Sequence, residues 1–498
     1  MNGAALVLQF ACAVAPVAPV ADAAPGAPPA QAPGRRPNIL LVSMDTTRWD
    51  ATSLARRWDT TPNLARLAAL GTSFDRAFSV GNESLYAHAG LLTGRYASEV
   101  AVADYASFAV PPDVPTLATA LRAYGYRTGA FTGGGHIVAE FGFDQGFDTF
   151  FSAPGAARFG SFFDSVPEAL SWIGAAGDAP WFAFVHGYDA HSPYVQPGPF
   201  RHPWPTSSAS TRIERIAADP LAPEQIRGRL WFPQRTPTDF VHAAGRTILA
   251  TDFYRLSADP APGEPVARLV DGEIMHLQEH YRAGVHYADV WLGVLLSHVD
   301  LSDTLVVVVS DHGEDLLDHG WVNHRAGLWD STLRVPLVVA GPGVPAGAVR
   351  PDLVELRRVL PTVVAAAGGT PPAGAETRTL WDRGDTAVFA EGVMDEVSVR
   401  DDAGRLTLRD ARLAWGAPDL AARPLDDGRA ELADGRDGRS YTVGGADLTR
   451  AEPLRRRIVE WAGRRVPSRI AGAELGPEAR EALRARGYWV PDPAPGGD

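Results

Sequence analysis

Lysine does not occur anywhere in the 498 residues, so the 46 basic side chains are all arginine. A guanidinium is planar, always charged and able to hold an oxyanion through two parallel N–H groups, so an anion site in this chain must use arginine or histidine. Cysteine occurs once, as Cys12. Removal of the segment around it would leave no thiol, which excludes disulfides and zinc–cysteine sites. Excess positive charge is also missing. The formal net charge of −13 argues against nucleic acid or an anionic membrane as the main partner. The N-terminal apolar stretch, residues 4–20, is interrupted by Pro16 and Pro19 and is too short to span a bilayer. No internal repeat is visible.

What is present is a chain longer than one average domain, with 45% hydrophobic residues, enough for a large core. Residues 1–36 read as a signal peptide and a Pro/Ala-rich tether, with Ala21-Asp22-Ala23 as a small-x-small cleavage site. Export to the periplasm or the extracellular space is therefore expected. A main domain is expected over 37–370, a smaller C-terminal α+β subdomain over 371–490 and a disordered tail over 491–498. Between 197 and 265 periodicity fails among scattered Pro, Ser and Trp, which predicts a long excursion near the site.

Strands are predicted at 38–44, 127–131, 181–186, 304–310 and 337–340, and helices at 62–69, 114–123, 166–175, 277–299 and 353–367. Shorter strand-like pieces follow at 387–391, 406–408, 412–415 and 440–443, then a helix at 452–464. This alternation predicts an α/β fold: a mostly parallel central sheet flanked by helices.

The strongest chemical signal lies in residues 306–336. Four valines run into Ser310-Asp311-His312-Gly313-Glu314, which puts a carboxylate and an imidazole at a strand's C-terminal end, with Gly313 expected to let the chain turn sharply. In isolation, Asp-His-Gly would be an ordinary surface loop. Here His319, His324 and Arg325 follow on the same rim. The strand at 38–44 runs likewise into Asp45, and parallel sheets gather chemistry at such ends, so Asp45 and Asp311 can meet. Arg48 and Asp50 are expected to orient that loop.

These motifs come in a recognisable order with Thr61-Pro62-Asn63-Leu64, Leu91-Leu92-Thr93-Gly94-Arg95, Gly125-Tyr126-Arg127-Thr128, Gly133-Gly134-Gly135-His136, Phe141-Gly142-Phe143-Asp144 and Arg334-Val335-Pro336. The ordered set, spanning most of 37–345, resembles the sulfatase branch of the alkaline phosphatase superfamily. The resemblance implies a metal-dependent hydrolase of sulfate esters, acting on a small-molecule or glycan sulfate or phosphate ester. It places Asp45, Thr46, Ser84, Asp311, His312 and His324 as candidate metal ligands, with Thr46 where the family often has a second Asp. Carboxylates suit calcium, the family's usual ion, or magnesium; the imidazole favours manganese or zinc.

Counting back from Leu91 puts Ser84 at the family's nucleophile, where a C/S-x-P-S-R block is oxidised to formylglycine. The local string is Ser84-Leu85-Tyr86-Ala87-His88, so cysteine-derived formylglycine is excluded and an unmodified serine activated by a metal is an alternative. His88 stands where the family has arginine, as a catalytic contact to the anion or the nucleophile or as a structural helix residue. Gly187-Tyr188-Asp189-Ala190-His191 makes His191 the general-acid candidate, against a loop histidine held by Asp189. Both family lysines are missing; His136 and Arg325, with His324 beside it, are the candidate substrate contacts. His319 is expected to be structural. The runner-up readings are a phosphoester or phosphonate hydrolase or transferase using unmodified Ser84, and a non-catalytic binder of sulfated or phosphorylated glycans.

Overall fold

A computed structural model describes residues 36–468 apart from 102–107, 154–158, 198–239, 244–245, 250–270, 412–416, 435–439 and the single positions 193, 195, 317, 320, 321, 326, 394 and 467. The predicted leader before residue 36, the tail, the strand at 412–415 and nearly all of the 197–265 excursion lie outside the described residues. Within that excursion a hairpin pairs Phe240–Ala243 with Arg246–Leu249.

Nine strands form the central sheet: β1 (Asn38–Met44), β2 (Thr72–Phe78), β3 (Arg127–Thr132), β4 (Thr149–Ser152), β5 (Trp181–Gly187), β6 (Thr304–Val309), β7 (Arg334–Val335), β8 (Leu337–Ala340) and β9 (Ala348–Glu355). The order across the middle is β8-β6-β1-β5-β3-β4. Here β6, β1, β5, β3 and β4 are mutually parallel, whereas β8 runs antiparallel to β6. Beyond β8 lies β2, paired antiparallel with both β7 and β8, which Pro336 separates. On the outer side of β2 runs parallel β9. Proline has no N–H to donate, so the break falls where the ladder must skip a bond.

β1 is buried at all seven positions, as a central parallel strand requires. Its Ile39 and Leu41 face helices α2 (Ser84–Thr93), α3 (Leu117–Ala123) and α6 (Val359–Ala366). Leu40 and Val42 face α1 (Pro62–Leu70), α4 (Phe162–Gly174) and α5 (Asp271–Leu296). The period of two thus assigns one strand to two cores. A five-stranded antiparallel sheet follows in chain order, from β10 (Val388–Gly392) through β11 (Glu396–Arg400), β12 (Gly404–Leu408) and β13 (Ala430–Asp434) to β14 (Ser440–Thr442). It packs Val397, Val399, Leu406 and Leu432 against Leu454, Ile458 and Trp461 of α7 (Leu448–Arg464). This is the expected smaller α+β subdomain.

Three expectations need correction. The predicted helix over 353–367 begins as strand: Leu353, Val354 and Glu355 pair with Arg76, Ala77 and Phe78, and helix starts only at Val359. Helix α4 starts four residues earlier than its apolar period suggested, because the Ser161 hydroxyl caps it by accepting from Phe163 N. Strands β2, β4, β7, β9, β11 and β13 were not predicted, since they are short or polar residues interrupt their apolar runs.

Candidate active site

The site gathers at the carboxyl ends of β1, β5 and β6, with the N-terminus of α2 aimed at it. Residues 43 and 44 pair with 186 and 187 in the register of β1 and β5, so Asp45 emerges beside His186. Asp311 and His312 follow β6, the other neighbour of β1. One ligand atom from each of Asp45, Asp311 and His312 lies within 4.8 Å of the others, and all three residues are buried. The expected meeting of Asp45 and Asp311 therefore occurs.

Ser84 is the first residue of α2. Its Oγ donates to Asp45 Oδ2 at 3.0 Å and lies 3.3 Å from His312 Nε2. His312 directs Nδ1 at Gly313 O, 2.9 Å away, so Nδ1 carries the proton and Nε2 presents a lone pair. That lone pair is 3.3 Å from Asp311 Oδ2, an oxygen with no hydrogen-bond partner among the described residues. Two acceptors facing each other in a buried pocket are what a bound cation would reconcile, so these residues fit a divalent metal.

Thr46 is left-handed, at φ 58°. In that conformation its N–H donates to Asp311 Oδ1 at 3.1 Å, its hydroxyl donates to Asp45 Oδ1, and its carbonyl accepts from Tyr281 Oη at 2.7 Å. The residue thus braces both carboxylates. Arg48 orients the loop as expected, gripping Asp50 with two bonds of 2.8 Å and also reaching Asp318 and Glu314 O. Gly313 serves differently from expectation. A Cβ there would meet Ser331 O at 2.0 Å, so what the glycine permits is close passage rather than a left-handed turn.

His88 is fully buried and sits beneath the carboxylates. Its Nδ1 faces Ser84 O at 2.9 Å and Asp311 Oδ2 at 3.4 Å, and Nε2 faces Ser43 Oγ at 3.0 Å. In that placement His88 supports Asp311 and the Ser84 carbonyl from behind. His186 offers Nε2 to Asp45 Oδ2 at 3.2 Å while Nδ1 accepts from Gly133 N at 3.4 Å. His324 pairs Nδ1 with Glu314 Oε1 at 3.2 Å, and its ring lies 4.2 Å from that of His312 and 5.4 Å from that of His191.

His136 and Arg325 meet on one carboxylate. Glu83 Oε1 lies 2.8 Å from His136 Nδ1 and 2.9 Å from Arg325 NH2. Gly134 and Gly135 adopt φ of 74° and 64°, which turns the chain so that His136 follows with its N–H on Tyr188 Oη at 3.1 Å. His191 directs Nδ1 to Ser192 O at 2.7 Å, leaving Nε2 as its other nitrogen. Asp189 accepts from Phe162 N at 2.9 Å and so binds the start of α4. His319 stacks on Trp329 with ring centres 4.3 Å apart, as expected for a structural residue.

Burial dominates the protonation of the site. Asp45 is driven well above the usual carboxylate range, first by desolvation and then by Asp311. Burial also disfavours charge on Asp311, but the imidazoles of His312, His88 and His186 outweigh it and bring the pKa to about 2. Desolvation holds His186 and His324 well below the usual imidazole value, lowers His88, and takes His191 to about 4. One carboxylate is thus anionic and the other holds a proton until a cation arrives.

Sequence reasoning missed Glu83, His186, Glu314 and Tyr281. Glu83 directly precedes Ser84 and Glu314 lies two residues after His312, so proximity could have flagged both. His186 looked like the end of a hydrophobic strand, and nothing in the helical pattern distinguishes Tyr281.

Carboxylates, imidazoles and a helix-borne serine thus share the strand ends of one α/β sheet, and the chain's relatives place it among the hydrolases of the alkaline phosphatase superfamily. Residues 37–369 match the family described as Sulfatase, and the chain belongs to that family. Membership supports hydrolysis of sulfate esters. The multifunctional alkaline phosphatase superfamily protein PehA of Trinickia caryophylli is 25% identical over 414 residues, covering 69% of this chain and 76% of that protein. The structure of phosphonate monoester hydrolase SpPMH from Silicibacter pomeroyi superposes with a TM-score of 0.61 at 20% identity, covering 87% of this chain and 96% of that one. A structure described as a complex with its substrate D-glucosamine-2-N,6-O-disulfate gives a TM-score of 0.63 at 17% identity, with 86% and 97% covered. Among the described residues, no helix is long and apolar enough to cross a membrane.

Proposed function

We propose that this chain is an exported, metal-dependent hydrolase of sulfate esters in which residue 84 carries the nucleophile. The observation that carries the reading is the position of Ser84 Oγ, 3.0 Å from Asp45 Oδ2 and 3.3 Å from His312 Nε2 at the start of a helix. Asp45, Asp311 and His312 would hold the divalent ion. When bound, that ion would lower the pKa of the Ser84 hydroxyl and draw charge from the ester oxygens.

The residues supply the rest. Asp45 Oδ2 accepts from the Ser84 hydroxyl and, once a bound cation has displaced the proton that burial keeps on Asp45, would take the proton of Ser84. Glu83 caps the N-terminus of α2 by accepting from Leu85 N at 2.8 Å, which fixes the turn that carries Ser84. Bond formation from Oγ to sulfur displaces the alcohol oxygen, and His191 is positioned to protonate that oxygen at Nε2. Burial takes the His191 pKa to about 4 in the free protein, so the imidazole is neutral there and must gain its proton as the anionic ester binds. Arg325 and His136 contact the oxyanion. The alanine stretch with its Ala21-Asp22-Ala23 site supports export.

A phosphonate or phosphoester hydrolase is the second reading. It is favoured by the departure of Ser84-Leu85-Tyr86-Ala87-His88 from the formylglycine block and by the likeness to PehA and the phosphonate monoester hydrolase fold. Ser84→Ala tests the common core: hydrolysis of every ester should fall by at least about a thousandfold while folding and metal content persist. Full activity in that variant would remove Ser84 from the chemistry. Mass spectrometry of the peptide bearing residue 84 separates the chemistries, since conversion to formylglycine removes two hydrogens from serine. Wild-type protein that binds sulfated or phosphorylated glycans without turnover of any ester would instead establish the non-catalytic reading.

A further inference from the structure

The cations available to an anionic substrate do not stand alone. Glu83, 1% exposed and adjacent to Ser84, holds Arg325 and His136 on its Oε1, at 2.9 and 2.8 Å, while its Oε2 accepts from Leu85 N at 2.8 Å. One buried carboxylate therefore caps the helix of the nucleophile and offsets the guanidinium that would otherwise confront the ester. Among the described residues, Glu83 thus adds a third carboxylate near Ser84, beside Asp45 at 3.0 Å from the Ser84 hydroxyl and Asp311 next to it.

We propose that Glu83 sets the charge selectivity of the site, admitting esters whose transferred group carries one negative charge and disfavouring those that carry two. The candidate class is thus sulfate monoesters together with phosphonate monoesters or phosphodiesters, with phosphate monoester dianions discriminated against. This deepens the hydrolase reading and rests on it. In a buried site a fixed negative charge repels a dianion more than a monoanion, and the difference is large because little water screens it.

Glutamine removes the charge but puts an NH2 group where Oε1 now meets Arg325 and His136, so the test reads the ratio of two esters rather than the rate on either. The amide oxygen of a glutamine can still accept from Leu85 N, and Asn82 separately anchors the loop of Arg325 by donating to His324 O at 3.0 Å and Gly327 O at 3.2 Å. The test measures kcat/KM for p-nitrophenyl sulfate and p-nitrophenyl phosphate at pH 8, above the second phosphate pKa of about 6, on metal-loaded wild type, Glu83→Gln and Glu83→Asp. In Glu83→Gln the phosphate-to-sulfate ratio should rise by about tenfold or more, while Glu83→Asp keeps the wild-type ratio even if both rates drop. Parallel changes on both esters in Glu83→Gln would make the residue a purely structural cap and overturn the selectivity role. Wild-type protein that turns over neither ester would overturn the hydrolase reading itself, a result distinct from an unchanged ratio.

Discussion

His88 shows how one substitution within a motif can change a residue's task. Where the family resemblance places an arginine able to reach an anion, this chain has an imidazole with both nitrogens engaged below the pocket, on Ser84 O, Asp311 Oδ2 and Ser43 Oγ. His88→Ala should therefore cost about 2–4 kcal/mol of stability, from a cavity and a less supported Asp311, and should weaken metal retention. Chemical denaturation with elemental analysis checks both, and an unchanged metal content would contradict the support role. Thr46 offers a complementary test. Its left-handed φ of 58° is tolerated by aspartate, so Thr46→Asp adds a carboxylate beside Asp45 and Asp311 and should tighten calcium binding, measured by titration calorimetry. At this scale the sequence disclosed Asp45, Ser84, Asp311 and His312 because strand ends and motif spacing mark them. It concealed Glu83 and His186 because their importance comes from partners far away in the chain.

At the scale of elements, the site depends on loops threaded past one another. Gly313 N donates to Thr332 O at 2.7 Å and Glu314 N to Ser331 O at 2.9 Å, so the segment after His312 is zipped to the segment before β7. A Cβ at position 313 would lie 2.0 Å from the Ser331 carbonyl, which as backbone cannot swing aside. Gly313→Ala should therefore destabilise by about 3 kcal/mol and displace His312, lowering both the thermal midpoint and activity. A midpoint within a degree of wild type would show that the loops have slack. The central strands were legible because burial on both faces makes them continuous apolar runs, as in β1 and β6. Strand β9 was not, since Arg350 and Asp352 interrupt it and its pairing with β2 decides its conformation.

Across the whole molecule, stability should respond to the site and to remote buried charge in separable ways. A chelator should lower the thermal midpoint, by the equivalent of about 2.7 kcal/mol where free metal exceeds Kd a hundredfold, and re-addition should restore it. Far from the site, Glu396 in β11 is 1% exposed, and burial carries its pKa to about 8 despite Arg409 at 3.4 Å. Its folded value lies above the unfolded value, so the neutral form favours folding. That contribution is whole below about pH 4.5 and is lost as pH rises toward 8. Glu396→Gln should accordingly flatten the decline in stability between pH 5 and 8 and exceed wild type at pH 8.5, by an amount on the order of a few kcal/mol. Urea midpoints across that range measure it; parallel curves for the two proteins would place Glu396's charge in water. The C-terminal sheet itself was only partly visible in sequence, because short antiparallel strands with polar outer faces resemble loops.

The segment before Ser84 is joined to the second sheet by a parallel bridge between Gly81 and Glu391, with Glu391 N donating to Val80 O at 2.9 Å. A ribosome therefore makes Ser84 long before it makes the residue that anchors the segment in front of it. Throughout synthesis the serine travels on an open chain, whereas in the finished protein it is 2% exposed. An enzyme that oxidised it would have to act before the chain folds, and protein made in a host without such an enzyme will keep the serine hydroxyl.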